Sequence, residues 1–148
     1  MPSPSTQQSY MALKEGNVPM VNGNGVLADF IHYPRFVNKK VDYTITARET
    51  GTIFHTAGAT ANVNFTLPAI SDGPFFFRII IGSDYNVTVT SATADTIITF
   101  NDIAADSVAF STSSEKIGGS FDVLCDGTSL FVLPRLASEA QTVTIATS

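Results

Sequence analysis

From Val41 onward, apolar and polar residues alternate along much of the chain, which is the pattern of β-strands that bury one face. In the run from Val63 to Leu67, for example, Val63, Phe65 and Leu67 share one face and polar residues fill the other. Turn signals rich in glycine and aspartate separate such runs at spacings of about 8–12 residues. Short strands at this spacing predict an all-β fold, namely a jelly-roll-like or Greek-key β-sandwich or barrel.

The composition agrees with a single β-domain. The chain has 148 residues, which is within the range of about 100–200 residues typical of one domain. Charged residues make up only 14 %, against about 25 % in an average protein, and 18 threonines and 14 serines take their place. Threonine favours strands because its branched Cβ packs well on a pleated surface.

Three runs carry specific expectations about burial. Alternation that starts at Val41 predicts that Val41 and Tyr43 face the core together. Tyr85 is in phase with the valines that follow it and is expected in the core as well. The segment 75–81 is apolar on both faces except at Arg78, so it is predicted to be a central strand.

The sequence Asp126-Gly127-Thr128 joins two strongly apolar runs, 120–125 and 129–133. A short turn of this type between two strand patterns predicts a β-hairpin. Cys125 lies in phase with Phe121 and Val123, which predicts a small buried side chain rather than a nucleophile.

The segment before the alternating runs has a different character, because prolines, glycines and scattered apolar residues replace the strand pattern. We assign residues 1–38 to an extended N-terminal arm, residues 39–135 to the β-sandwich domain and residues 136–148 to a C-terminal strand or tail. An arm with its own apolar side chains lies either on its own domain or on a partner. The candidate partner-binding residues are Met20, Val21, Leu27, Phe30, Ile31, Tyr33 and Phe36.

The C-terminal segment returns to alternation, with Thr142 and Thr144 on one face and Val143 and Ile145 on the other. Such a strand can close the sheet of its own domain. It can also add to the edge of a neighbouring subunit's sheet, since an edge offers unpaired backbone groups.

Charge and hydropathy exclude several partners. The net charge of −5 gives no basic surface for nucleic acid or for an anionic membrane. The most apolar stretch, residues 75–81, is far shorter than the roughly 20 residues that span a bilayer. The N-terminus lacks the basic and apolar regions of a secretory signal peptide.

The titratable residues form no recognisable catalytic or metal-binding motif. The two histidines, His32 and His55, have no partner at metal-ligand spacing, and we expect His55 to be a solvent-facing or hydrogen-bonded strand residue. The acidic pairs Asp102/Asp106 and Asp122/Asp126 are expected to be turn residues that accept backbone hydrogen bonds. We therefore predict no catalytic residues, no metal and no cofactor, and a protein that is not an enzyme.

Several segments of the β-region resemble a β-module of tailed bacteriophages. They are 58–68, 75–81, 87–89 together with 94–97, and the hairpin 121–133, and the similarity extends over roughly residues 50–133. This module recurs in capsid decoration (cement) proteins and in fibre proteins.

A short single domain with an apolar arm is more similar to a decoration protein than to a fibre. The resemblance implies a structural virion protein on the capsid exterior, made in the host cytoplasm. It would bind the major capsid protein at capsomer junctions as a homotrimer and stabilise the head. The alternative is a tail or fibre adhesin that binds host-surface carbohydrate through exposed aromatics such as Tyr10, Tyr33 or Tyr85.

Overall fold

The alternating runs become strands whose buried side chains meet between two sheets. The computed structural model describes residues 35–111 and 115–147, and this part of the chain contains twelve strands and two single turns of 3-10 helix, Ala47–Glu49 and Ile70–Asp72. The strands are β1 (Arg35–Asn38), β2 (Tyr43–Thr44), β3 (Thr52–His55), β4 (Val63–Thr66), β5 (Phe75–Ile80), β6 (Val87–Thr90), β7 (Ile97–Thr99), β8 (Asp102–Ala105), β9 (Ser107–Phe110), β10 (Ser120–Cys125), β11 (Leu130–Arg135) and β12 (Val143–Ala146).

The smaller sheet has five strands in the order β12-β9-β6-β4-β2, and the larger sheet has seven in the order β1-β3-β5-β10-β11-β7-β8. Both sheets are mixed. The prediction of an all-β sandwich is therefore confirmed, and the strand order adds detail that alternation does not encode.

In the first half of the described chain, consecutive strands alternate between the two sheets. Strands β1, β3 and β5 run parallel in the larger sheet, while β2, β4 and β6 run parallel in the smaller one. Each parallel neighbour is therefore the next strand but one in sequence. The second half is largely antiparallel, and β10 joins β5 and β11 in two six-residue ladders.

The core lies between the two sheets and is rich in phenylalanine. Phe54 is fully buried and packs against three rings, those of Tyr43, Phe65 and Phe77, at centroid distances of 5.8, 5.7 and 6.1 Å. Phe110 of the smaller sheet meets Phe121 of the larger sheet edge to face at 5.1 Å. Aromatic pairs of this geometry add about 0.5–1.5 kcal/mol each beyond their buried area.

Two sequence predictions about the larger sheet are confirmed. Strand β5 is central, with β3 on one side and β10 on the other. Strands β10 and β11 form the predicted hairpin, in which Asp126 Oδ1 accepts hydrogen bonds from Thr128 N and Ser129 N at 2.8 and 2.7 Å.

Two burial predictions are wrong. Val41 is exposed, because it lies in a bend before the two-residue strand β2 begins at Tyr43. Tyr85 is 42 % exposed, because it lies in a bend before β6 begins at Val87. Alternation predicts the face of a residue only while the strand continues.

Both ends of the described chain lie in the sheets. The last four residues of the predicted arm form β1, which pairs with β3 at the edge of the larger sheet. Strand β12, which lies in the predicted C-terminal strand or tail, pairs with β9 of its own chain at the edge of the smaller sheet. Val143 and Ile145 pack against the core, as their alternation indicates.

Candidate interaction surface

Of the seven predicted partner-binding residues, one lies in the described part of the chain. Phe36 is at the middle of β1, opposite Ile53 of β3, and is 65 % exposed. The other predicted residues, Met20, Val21, Leu27, Phe30, Ile31 and Tyr33, lie outside the described residues.

A larger apolar surface lies on the outer face of the seven-stranded sheet. Leu124 of β10 stands opposite Phe76 of β5 on one side and Phe131 of β11 on the other. Their neighbours along each strand point into the core, so these three side chains point away from it and are 39, 37 and 36 % exposed. We call Phe76, Leu124 and Phe131 the apolar row.

The apolar row forms the floor of a shallow trough of about 570 Å³. Thr50 and Pro74 line it at one side, and Asp126 lines it at the hairpin turn. An apolar concavity that several neighbouring side chains share is typical of a surface that binds another molecule.

An ion-pair cluster lies next to the apolar row on the same outer face. Arg78 is two residues beyond Phe76 on β5, and Asp122, which stands opposite Arg78, is two residues before Leu124 on β10. Arg78 donates from Nε to Asp122 Oδ1 at 2.7 Å and from Nη2 to Asp122 Oδ2 at 3.2 Å. Arg135 of β11 donates from Nε to the same Oδ2 at 2.9 Å. The hydrogen bond to Asp122 and the nearby negative charge raise the pKa of Arg78.

The expectation that Asp122 is a turn residue is therefore wrong. It lies inside β10, its side chain is only 13 % exposed, and two arginines from the flanking strands hold it there.

The other three acidic candidates do bind backbone. Asp102 accepts a hydrogen bond from Ala104 N, and Asp106 accepts one from Asp95 N. Asp126 accepts hydrogen bonds from Ser129 N and Thr128 N of the hairpin turn, and these lower the pKa of Asp126.

His55 and Cys125 have structural surroundings. His55 Nδ1 lies 3.3 Å from Asn38 Nδ2 and accepts from Ala57 N at 3.4 Å, which confirms that it is a hydrogen-bonded strand residue. Cys125 is buried, as predicted, and its Sγ accepts from Gly127 N at 3.4 Å.

A second groove of about 490 Å³ opens between the β7–β8 hairpin and the segment that follows β11. Its walls are mostly apolar and include Phe100, Leu133 and Leu136, all of them exposed. The hydroxyl of Thr99 is buried against this groove and has no hydrogen-bond partner in the described part of the chain.

The described residues contain no group of three or more His, Cys, Asp or Glu side chains that could hold a metal ion. No helix among them is long and apolar enough to cross a membrane. No family model, curated protein or solved structure matches the chain.

The apolar row could not be found from alternation alone. Each of the three strands contributes one residue to the apolar row, and a single exposed apolar residue is ordinary in a soluble protein. The register of β5, β10 and β11 is what brings Phe76, Leu124 and Phe131 together. One signal was present in the sequence, since Phe76 lies in a strand with apolar residues on both faces.

Proposed function

We propose that this protein is a structural protein of a tailed-bacteriophage head, a decoration protein that binds the outside of the assembled shell at capsomer junctions. It is made in the host cytoplasm and carried on the virion. It acts as a homotrimer and stabilises the shell, because a ligand that binds only the assembled state shifts the equilibrium toward assembly.

The observation that best supports this proposal is the surplus of exposed apolar side chains on a β-sandwich. Phe36 and the apolar row are exposed on the outer side of the larger sheet, and Phe100 and Ile103 are exposed at its β7–β8 edge. Neighbouring exposed apolar side chains are typical of surfaces that bind another protein. The resemblance of residues 50–133 to the phage module supplies the class of partner, the major capsid protein.

The arm provides the attachment in this proposal. Its apolar residues from Met20 to Tyr33 would cross onto neighbouring capsid subunits, whereas Phe36 would contact them from its place in β1. The β-sandwich would remain on the outer surface of the shell. Binding by an arm increases the contact area without a larger domain.

Co-sedimentation tests the proposal. The full-length protein is mixed either with assembled heads that lack it, from the phage that encodes it, or with unassembled capsid protein. We expect it to pellet with the heads and to remain free of the unassembled subunits. Serine at Leu27, Phe30 and Ile31 should abolish pelleting, whereas serine at the exposed Val41 should not. Equal pelleting of both variants would contradict attachment through the arm.

One observation favours the alternative function, an adhesin that binds carbohydrate. Tyr85 is exposed and follows Asp84 in sequence, whose carboxylate is exposed as well. An aromatic ring next to a hydrogen-bond acceptor can stack on the apolar face of a sugar and bind its hydroxyls. An adhesin should bind host cells or their polysaccharide without any shell, and Tyr85→Ala should abolish that binding.

A further inference from the structure

The two outer faces of the sandwich differ in chemistry. On the smaller sheet the outward positions are mainly threonine, with Thr66 on β4, Thr88 and Thr90 on β6, and Thr144 on β12. A threonine face can hydrogen-bond to water and is typical of a solvated surface. The outer face of the larger sheet has the apolar row instead, with its trough. This contrast indicates that the larger sheet is the side that another molecule covers.

The charges beside the trough restrict what that molecule can be. Asp122 is shared by Arg78 and Arg135, so one positive charge of the cluster is not neutralised. Arg135 is exposed and contacts Asp122 through Nε alone, which leaves its two terminal nitrogens as donors. Asp126 places a negative charge at the hairpin end of the trough, and the opposite end, at Arg78 and Arg135, is locally basic. It therefore fits a surface with an apolar side chain close to a carboxylate.

The same chain presents such a surface at the β7–β8 hairpin. Ile103 and Phe100 are the two most exposed large apolar side chains in the described ranges, at 80 and 75 %. Asp102 lies between them, and its Oδ1 accepts from Ala104 N at 2.8 Å, which fixes the carboxylate on the hairpin and leaves Oδ2 as an acceptor. Phe100 projects where the chain turns at Asn101, whose φ is +59°.

The spacings on the two surfaces also correspond. Phe76 and Arg78 are two residues apart on β5, and Phe100 and Asp102 are two residues apart on the hairpin. Positions two residues apart are separated by at most about 7 Å in either case. A phenylalanine in the trough would thus bring the following carboxylate to the arginine cluster.

We infer that the outer face of the larger sheet binds the β7–β8 hairpin of a second copy of this chain. Phe100 of one copy enters the trough above Phe76, Leu124 and Phe131 of the next, and Asp102 meets Arg135. Because the two surfaces are different patches of one molecule, the contact is heterologous and repeats head to tail, giving a ring where the rotation closes and an open filament where it does not. This association needs no shell, so it does not depend on the proposed function.

Light scattering after gel filtration tests this association with the full-length protein. We expect the wild type to be an oligomer, and we expect Phe100→Asp and Leu124→Asp each to be monomeric. Thr88→Asp, on the outer face of the smaller sheet, is the matched control and should keep the wild-type mass. Urea unfolding of each variant checks that the fold is intact, and Ile103→Ser with Phe131→Ser provides a second, milder pair.

Mixing the two monomeric variants is the decisive step. Phe100→Asp keeps an intact trough and Leu124→Asp keeps an intact hairpin, so a mixture can form one contact and no more. We expect a one-to-one complex of twice the monomer mass. A monomeric wild type, variants that keep the wild-type mass, or a mixture that stays monomeric would each overturn the inference. Shell binding is measured separately, so failure of either experiment is not failure of the other.

Discussion

Arg78 and Asp122 stand directly opposite each other on β5 and β10, and Arg78 Nε donates to Asp122 Oδ1 over 2.7 Å. The pair lies in the middle of the larger sheet, between the apolar row and the exposed end of β11. Arg135 completes the cluster from the other side of Asp122. Three neighbouring strands are thus held in register by one carboxylate on an otherwise apolar face.

Replacement of Asp122 by asparagine should destabilise the fold, because it leaves two guanidinium groups facing each other without a negative charge. We expect a loss of about 1–3 kcal/mol in the free energy of unfolding, at the lower end because both arginines are partly exposed and therefore solvated. Urea denaturation measures it. Asp72→Asn is the control, since the exposed Asp72 side chain makes no hydrogen bond or ion pair with the described residues, and it should change the free energy by less than about 0.5 kcal/mol. Equal losses in the two variants would contradict this role of Asp122.

Two valines in alternating runs should lose very different amounts of stability on the same substitution. Val63 is buried in the core, so Val63→Ala removes two packed methyl groups and should cost about 2 kcal/mol of unfolding free energy. Val41 is exposed, and Val41→Ala should cost less than about 0.5 kcal/mol. Thermal or urea unfolding distinguishes them. A loss at Val41 as large as that at Val63 would mean that Val41 belongs to the core after all.

The Tyr43–Glu49 pair should give a pH-dependent contribution to stability. Tyr43 Oη donates to Glu49 Oε2 over 2.6 Å, and this hydrogen bond raises the pKa of Tyr43 above 10.0. For Glu49, burial raises the pKa, but hydrogen bonds from Thr46 and Tyr43 outweigh it and lower the pKa below 4.5. The contribution is therefore fully present between those two ordinary values. It is lost as the pH falls through the lowered pKa of Glu49 or rises through the raised pKa of Tyr43.

Glu49→Ala tests this pair. The difference in unfolding free energy between the wild type and the variant should be largest near neutral pH and should shrink toward both extremes. Absorbance titration of the phenolates should also show one tyrosine ionising at lower pH in the variant. A difference that is constant with pH would contradict the coupling of the two groups.

Single-strand patterns predicted those parts of the fold that depend on one strand at a time. Phe65, Phe121 and Val123 are buried as their alternation indicates, and the turn residues at Asp126 form the hairpin. The pattern failed at Val41 and Tyr85, where the strand is shorter than the alternating run. Period two predicts a face, but not how far a strand extends.

Features that need several strands were beyond sequence reasoning. The parallel crossovers that link β1, β3 and β5 depend on which strands become neighbours, and so does the apolar row. Asp122 is an example, because aspartate is unfavourable in strands and its presence therefore predicts a turn. Only the arrival of Arg78 and Arg135 from two flanking strands makes its position favourable.

Counting the copies bound per head tests most directly whether the protein coats the capsid. Assembled heads that lack the protein are titrated with the full-length wild type, and bound copies per particle are measured after sedimentation. We predict saturation at a number that scales with the number of capsid protein subunits, with no binding to unassembled subunits. Saturation at a few copies per particle, or binding to tails or host cells instead of heads, would contradict it.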